Sequence, residues 1–168
     1  MRLLSGGRGV WGLAGLLVLA SAAQAQANWP DRPVRVIVPF PASGATDLVA
    51  RVVTQRVAAD LGQQLVVDNK PGAGGTLGTA EAAKAAPDGY TLLLTTSSTH
   101  AISPHLMPKL AYDPRKDFTP VAHVADAPSV LLVTNSLPVK TVGELIAYAK
   151  AHPGKLNYAT SGNGTIVH

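Results

Sequence analysis

Three observations predict an α/β fold with a mainly parallel sheet. Apolar, β-branched segments alternate with segments of helical periodicity, and a loop of small residues follows the strand-like segments. The strand-like segments are also apolar at nearly every position, as in strands covered on both faces. Such alternation implies right-handed crossovers between parallel strands.

The first strand is predicted over residues 34–40, VRVIVPF. After a loop of small residues comes DLVARVVTQRVAADLG, an amphipathic helix that Gly62 closes. Its spacing puts Leu48, Val49, Val52, Val53, Val57 and Leu61 on one face, with Arg51, Gln55, Arg56 and Asp60 opposite. The unit then repeats: QLVVDN is a strand, PGAGGTLG a glycine-rich turn, and TAEAAKAA a short helix ended by Pro87-Asp88-Gly89. TLLLTT is a third buried strand. Residues 100–120, with Pro104, Pro108, Pro114 and Pro120, cannot hold a long helix. Two apolar runs follow, PVAHVA and SVLLVTN. A helix then begins at the N-cap Thr141, with Glu144 placed for a capping box. Leu145, Ile146 and Ala149 are its apolar stripe, and Pro153-Gly154 ends it. The last segment, KLNYATSGNGTIVH, is expected to form a short strand and a small-residue loop. A strand and loop that end where a crossover helix is due suggest a truncated longer protein.

The amino terminus carries its own signal. Arg2 and Arg8 precede an apolar stretch over residues 10–20 and the small-residue run SAAQAQA. That is the layout of a cleavable secretory signal peptide, assigned to residues 1–25. Cleavage falls after Ala25 or Ala27, so the mature chain starts at Gln26 or Asn28. The stretch is well short of the ~20 apolar residues that span a bilayer. The chain has fourteen Lys and Arg against ten acids, and two of the fourteen belong to the leader. The remaining cations are scattered without interleaved aromatics, which argues against nucleic acid as a partner. Cysteine is absent, so no disulfide, thiolate metal site or Cys nucleophile is available. His100, His105, His123, His152 and His168 lack metal-ligand spacing, and no metal or cofactor is expected.

Two loops could bind an anion. Residues 39–47, PFPASGATD, join the first strand to the first helix, where backbone N–H groups are unpaired and the helix dipole favours negative charge. Pro41, Ala42, Ser43, Gly44, Ala45 and Thr46 are compact enough to admit a ligand to the main chain. Gly44 also suits any positive φ that the turn requires. Asp47 would repel an anion unless its carboxylate turns back to the helix start, so it is expected to fix the loop. The second loop, with Ser161, Gly162, Asn163, Gly164 and Thr165, has the same chemistry. Either loop could equally be an ordinary turn. The glycine-rich run over residues 72–78 lacks dinucleotide spacing, since Leu77 stands where the third glycine is due; a tight turn into a close-packed helix is the better reading. Ser97, Ser98 and His100 follow the third strand. They either line the carboxyl edge of the sheet, with Ser97 joining the ligand site, or supply the nucleophile and base of a hydrolase that still lacks a placed acid.

The chain resembles the substrate-binding receptors of tripartite tricarboxylate transporters, the Bug family of periplasmic proteins. The resemblance rests on WPDRPVRVIVPFPASGATD, NKPGAGGTLGTAEAAKAAPDGYTLL, HAISPHLMPKLAYDPRKDFTPVAHVA and NYATSGNGT in that order. It implies a two-lobed periplasmic binding protein of type II, with residues 28–124 forming most of the first lobe and 125–168 the incomplete start of the second. It further implies a monomeric receptor that captures a small mono-, di- or tricarboxylate and hands it to membrane permease subunits. The loops at residues 39–47 and 161–165 then correspond to the family's ligand-gripping loops, which use main-chain amides, small hydroxyls and waters. Here Ala42-Ser43-Gly44 stands where family members often place a second glycine. A periplasmic hydrolase and an inactive truncated product are the competing readings.

Overall fold

The computed structural model describes residues 29–168; the expectations for the leader and its cleavage sites lie outside the described residues. Three parallel strands, β1 (Val34–Val38), β2 (Leu65–Asn69) and β3 (Thr91–Leu93), pair in the order β2-β1-β3. Helix α1 (Ala45–Leu61) links β1 to β2, and α2 (Thr76–Ala83) lies between β2 and β3. The α/β expectation holds for this part of the chain.

β1 is central, and its composition says why. Val34, Ile37 and Val38 are at most 1% exposed, so the strand is covered on both faces and flanked on both edges. β2 and β3 are only half-buried, which corrects the expectation of a buried third strand. An edge position explains it, since each has a single strand neighbour among the described residues. Right-handed crossovers in the order β2-β1-β3 put α1 and α2 on opposite faces of the sheet. The chain therefore leaves the adjacent strands β1 and β2 toward opposite faces, opening a crevice beyond their carboxyl ends.

Helix α1 has the predicted extent and ends in Gly62 at φ 67°. Its buried side is not the predicted one. Asp47, Ala50 and Thr54 face inward, whereas Leu48 and Val52 are exposed and Val53 and Val57 only half-buried. Asp47 and Thr54 tolerate burial because each is hydrogen-bonded: Asp47 to neighbouring donors, and the Thr54 hydroxyl to the Arg51 carbonyl at 3.2 Å. Helix α2 approaches the sheet closely. A Cβ at Gly78 would stand 2.5 Å from the Lys70 carbonyl oxygen, so only glycine fits there.

Beyond β3 a π-helical turn (Ser98–Ile102) runs into the short helix α3 (Ser103–Leu106), as the proline spacing allows. Tyr112 packs beneath and donates its hydroxyl to the Thr99 carbonyl at 2.6 Å. The two apolar runs between residues 121 and 135 form no strand, and Val121, Val130 and Leu132 are more than three-quarters exposed. Helix α4 (Val142–Ala151) has the predicted capping box, with Glu144 N–H donating to Thr141 Oγ1 and Thr141 N–H to Glu144 Oε2, both at 3.2 Å. Its stripe is not buried: Ile146 and Ala149 are exposed and Leu145 half-buried. The strand expected near residues 155–160 is likewise absent, because no neighbouring strand among the described residues offers it a ladder. No described helix is long and apolar enough to cross a membrane.

Candidate functional site

The carboxyl ends of the strands converge on a cleft of about 360 Å3. Residues 39–41 from the end of β1, 71–75 from the end of β2, Met107 after α3, and 161–163 line it. Pro41, Ser161, Gly162 and Asn163 are thus brought together across more than a hundred residues of sequence. Gly164 and Thr165 lie behind the second loop and support it. Thr165 Oγ1 donates to the Gly162 carbonyl at 2.7 Å and accepts from Ser161 Oγ at 3.1 Å.

The second loop is seated on the first half of the chain. Ile166 N–H donates to Ser98 Oγ at 3.2 Å, and a Cβ at Gly74 would stand 2.7 Å from the Asn163 carbonyl oxygen. Gly75, at φ 95°, leaves room for Phe40 and Thr99, which an added Cβ would meet at 3.0 and 2.8 Å. The glycine turn is therefore a wall of the cleft as well as the entry to α2. Sequence reasoning missed that role. The available signal was position: a run of small residues directly after β2 must lie at the same sheet edge as the loop after β1.

Ala42, Ser43, Gly44, Ala45, Thr46 and Asp47 do not line this cleft but form the turn beside it. Asp47 organises that turn. Its carboxylate accepts from Ser43 N–H at 2.8 Å, Arg51 Nε at 2.9 Å and Asn69 Nδ2 at 2.9 Å. The Arg51 guanidinium first, then the Ser43 amide and Asn69, lower its pKa to about 2. Asn69 Nδ2 also donates to the Phe40 carbonyl at 3.1 Å, tying the end of β2 to the end of β1. Positive φ falls on Ser43, at 66°, and not on Gly44, at −77°, so the conformational argument for Gly44 does not hold. Its Cβ would still meet the Pro41 carbonyl oxygen at 3.3 Å.

Ser97 also lies off the cleft, and its neighbour Ser98 makes the contact to the second loop. The hydrolase pair does not form. His100 Nδ1 is bonded to Thr95 Oγ1 at 2.6 Å and lies 3.2 Å from Thr99 Oγ1, while its ring packs against Phe118. Burial lowers its pKa, as suits a neutral imidazole in an aromatic cluster with Tyr112 and Phe118. Among the described residues no group of His, Asp and Glu is placed to hold a metal ion.

A second cavity, of about 320 Å3, lies between α1 and β2 and is lined by Arg51, Gln55 and Gln64 among others. Its cation is already engaged by Asp47.

A family model described as the tripartite tricarboxylate transporter family receptor matches residues 49–168. Protein BugT of Bordetella pertussis is 44% identical over 142 residues, covering 84% of this chain and 44% of that protein. Among solved structures, MatC of Rhodopseudomonas palustris with bound malate is 45% identical and superposes with a TM-score of 0.77, covering 82% of this chain and 47% of that one. An R. palustris protein with adipate is 41% identical, with a TM-score of 0.76 over 82% of this chain and 46% of that one. The chain spans about half the length of the curated relatives it matches.

Proposed function

The chain belongs to the tripartite tricarboxylate transporter family of receptors, and from that premise we propose that it captures a small organic carboxylate outside the cytoplasm and delivers it to membrane permease subunits. The observation that carries the proposal is the cleft itself, where residues 39–41 and 161–163 face one site at the carboxyl end of a parallel sheet. Relatives of the same fold hold malate and adipate. Both are carboxylates.

Under this reading the ligand carboxylate is held by N–H dipoles and a side-chain amide. Neither loop contains Arg or Lys, so neutral donors at a helix start must supply the attraction. Asn163 is the side-chain donor on the cleft wall and main-chain amides of the two loops are the rest; Thr46 stands in the turn beside the cleft, and the Ser161 hydroxyl is donated to Thr165 Oγ1. Asp47 orders that loop without touching the ligand. Residues 28–124 form most of one lobe and 125–168 the beginning of a second, in a monomeric periplasmic protein released by cleavage of residues 1–25. The sheet and both of its crossover helices fall within the first of these segments, which supports the division.

The test is thermal melting of the purified chain with mono-, di- and tricarboxylates, followed by recovery of the ligand. A binder raises the melting temperature by mass action, and a receptor returns its ligand unchanged. Turnover that disappears in His100→Ala would overturn the reading.

A further inference from the structure

The cleft has a chemical bias that the family description does not carry. Its side-chain walls are Phe40, Pro41, Pro71, Ala73 and Met107, and no Lys or Arg is among its lining residues. The Phe40 ring rests against Gly75, and the Met107 methyl lies 3.1 Å from where a Cβ of Gly164 would stand. Glycine at both places is what lets these two apolar groups reach the cleft.

Lys70, Arg51 and Arg35 are engaged elsewhere. Lys70, which directly precedes this wall, reaches Asp68 at 3.7 Å and Glu81 at 3.8 Å. Arg51 is bonded to Asp47 and Asn69. Arg35 is held by Asp68 and Glu81. Neutral donors remain for the ligand: main-chain amides and the Asn163 amide, whose side chain makes no hydrogen bond among the described residues, whereas the Ser161 hydroxyl is already donated to Thr165 Oγ1.

Neutral donors can hold one carboxylate, but three carboxylates brought together against proline, phenylalanine and methionine would lose hydration with no countercharge to replace it. A hydrocarbon body gains from the same surface, each buried methylene strengthening binding about fourfold. We propose that this cleft selects a carboxylate with a hydrocarbon body over a tricarboxylate, and that Phe40 and Met107 are the side chains that set this selectivity. The inference rests on the receptor reading above and narrows it.

The experiment is calorimetric titration of the chain with hexanoate, adipate and citrate, and of its Met107→Gln, Met107→Leu and Phe40→Leu variants with hexanoate and citrate. Hexanoate and adipate should each bind at least about tenfold more tightly than citrate. Met107→Gln should weaken hexanoate about fivefold and leave citrate nearly unchanged, while Met107→Leu, of similar volume and polarity, should stay within about twofold. Phe40→Leu repeats the test at the other wall and should also weaken hexanoate. Citrate binding as tightly as hexanoate would overturn the selectivity and leave the receptor reading intact. Hexanoate binding that is indifferent to both Met107→Gln and Phe40→Leu would overturn the assignment of the two walls. Failure to bind any of the three acids would overturn both proposals.

Discussion

Asp47 shows how a residue of the wrong charge can still order the turn beside a proposed anion site. Its carboxylate is spent on Arg51, Ser43 N–H and Asn69, so its charge is balanced before a ligand arrives. The folded pKa of about 2 lies below the ordinary 3.8. Its contribution to stability is therefore fully present above pH 4 and is lost as pH falls through about 2. Melting temperatures measured from pH 5 to pH 2 should fall less steeply in Asp47→Asn than in the parent, and parallel slopes would show that the pairing carries no net weight. Ser43 holds φ 66°, a conformation that costs a non-glycine residue roughly 1–2 kcal/mol. Ser43→Gly should accordingly raise the melting temperature, and a lowered one would mean that its side chain contributes more than the backbone strain removes. Asn163→Ala should weaken carboxylate binding by about 0.5–1.5 kcal/mol, the net worth of one hydrogen bond, as read by calorimetry. The sequence pointed to Asp47 as the organiser of its loop through its place at a helix start. Arg51 is one helical turn away and legible as its i,i+4 partner, but Asn69 is twenty-two residues away and meets Asp47 only once β2 pairs with β1.

At the scale of elements, legibility depended on whether the deciding contact was local. The extent of α1, its glycine cap and the capping box of α4 are written in neighbouring residues, and the structure has them. The buried face of α1 is set by the sheet beneath it, and periodicity alone put Leu48 and Val52 inward in error. Strands fared similarly, since the runs between residues 121 and 135 have strand composition but no ladder to join among the described residues. Two predictions follow from these packing differences. Gly78→Val should destabilise the protein by about 1–3 kcal/mol in denaturant melts, because the branched side chain must displace backbone at Lys70. Thr141→Ala removes a cap worth about 1 kcal/mol to α4. That helix buries no residue, so amide exchange should quicken over residues 142–151 while the global melting temperature barely moves. A large drop in global stability would mean that α4 is coupled to the sheet.

For the molecule as a whole, site and fold share a cause. The strand order β2-β1-β3 sends the loops after β1 and β2 to opposite faces, and the second loop, near residue 163, fills the far side of the opening through Ser98, Gly74 and Met107. The loops were legible as small-residue turns at the carboxyl edge of the sheet, but not which of their residues face the cleft: Pro41 and residues 161–163 line it, whereas 42–47 stand beside it. The glycine turn was legible as a wall of the cleft only through its position, since it reaches the first loop only once β2 pairs in parallel with β1. The central claim is that a carboxylate occupies the cleft formed by residues 39–41, 71–75 and 161–163. The most direct measurement is a titration of backbone amide resonances with adipate in the labelled protein. Shifts concentrated at residues 39–47, 72–75 and 161–165 are predicted. Shifts concentrated instead around Arg51, Gln55 and Gln64, the lining of the second cavity, would contradict the claim.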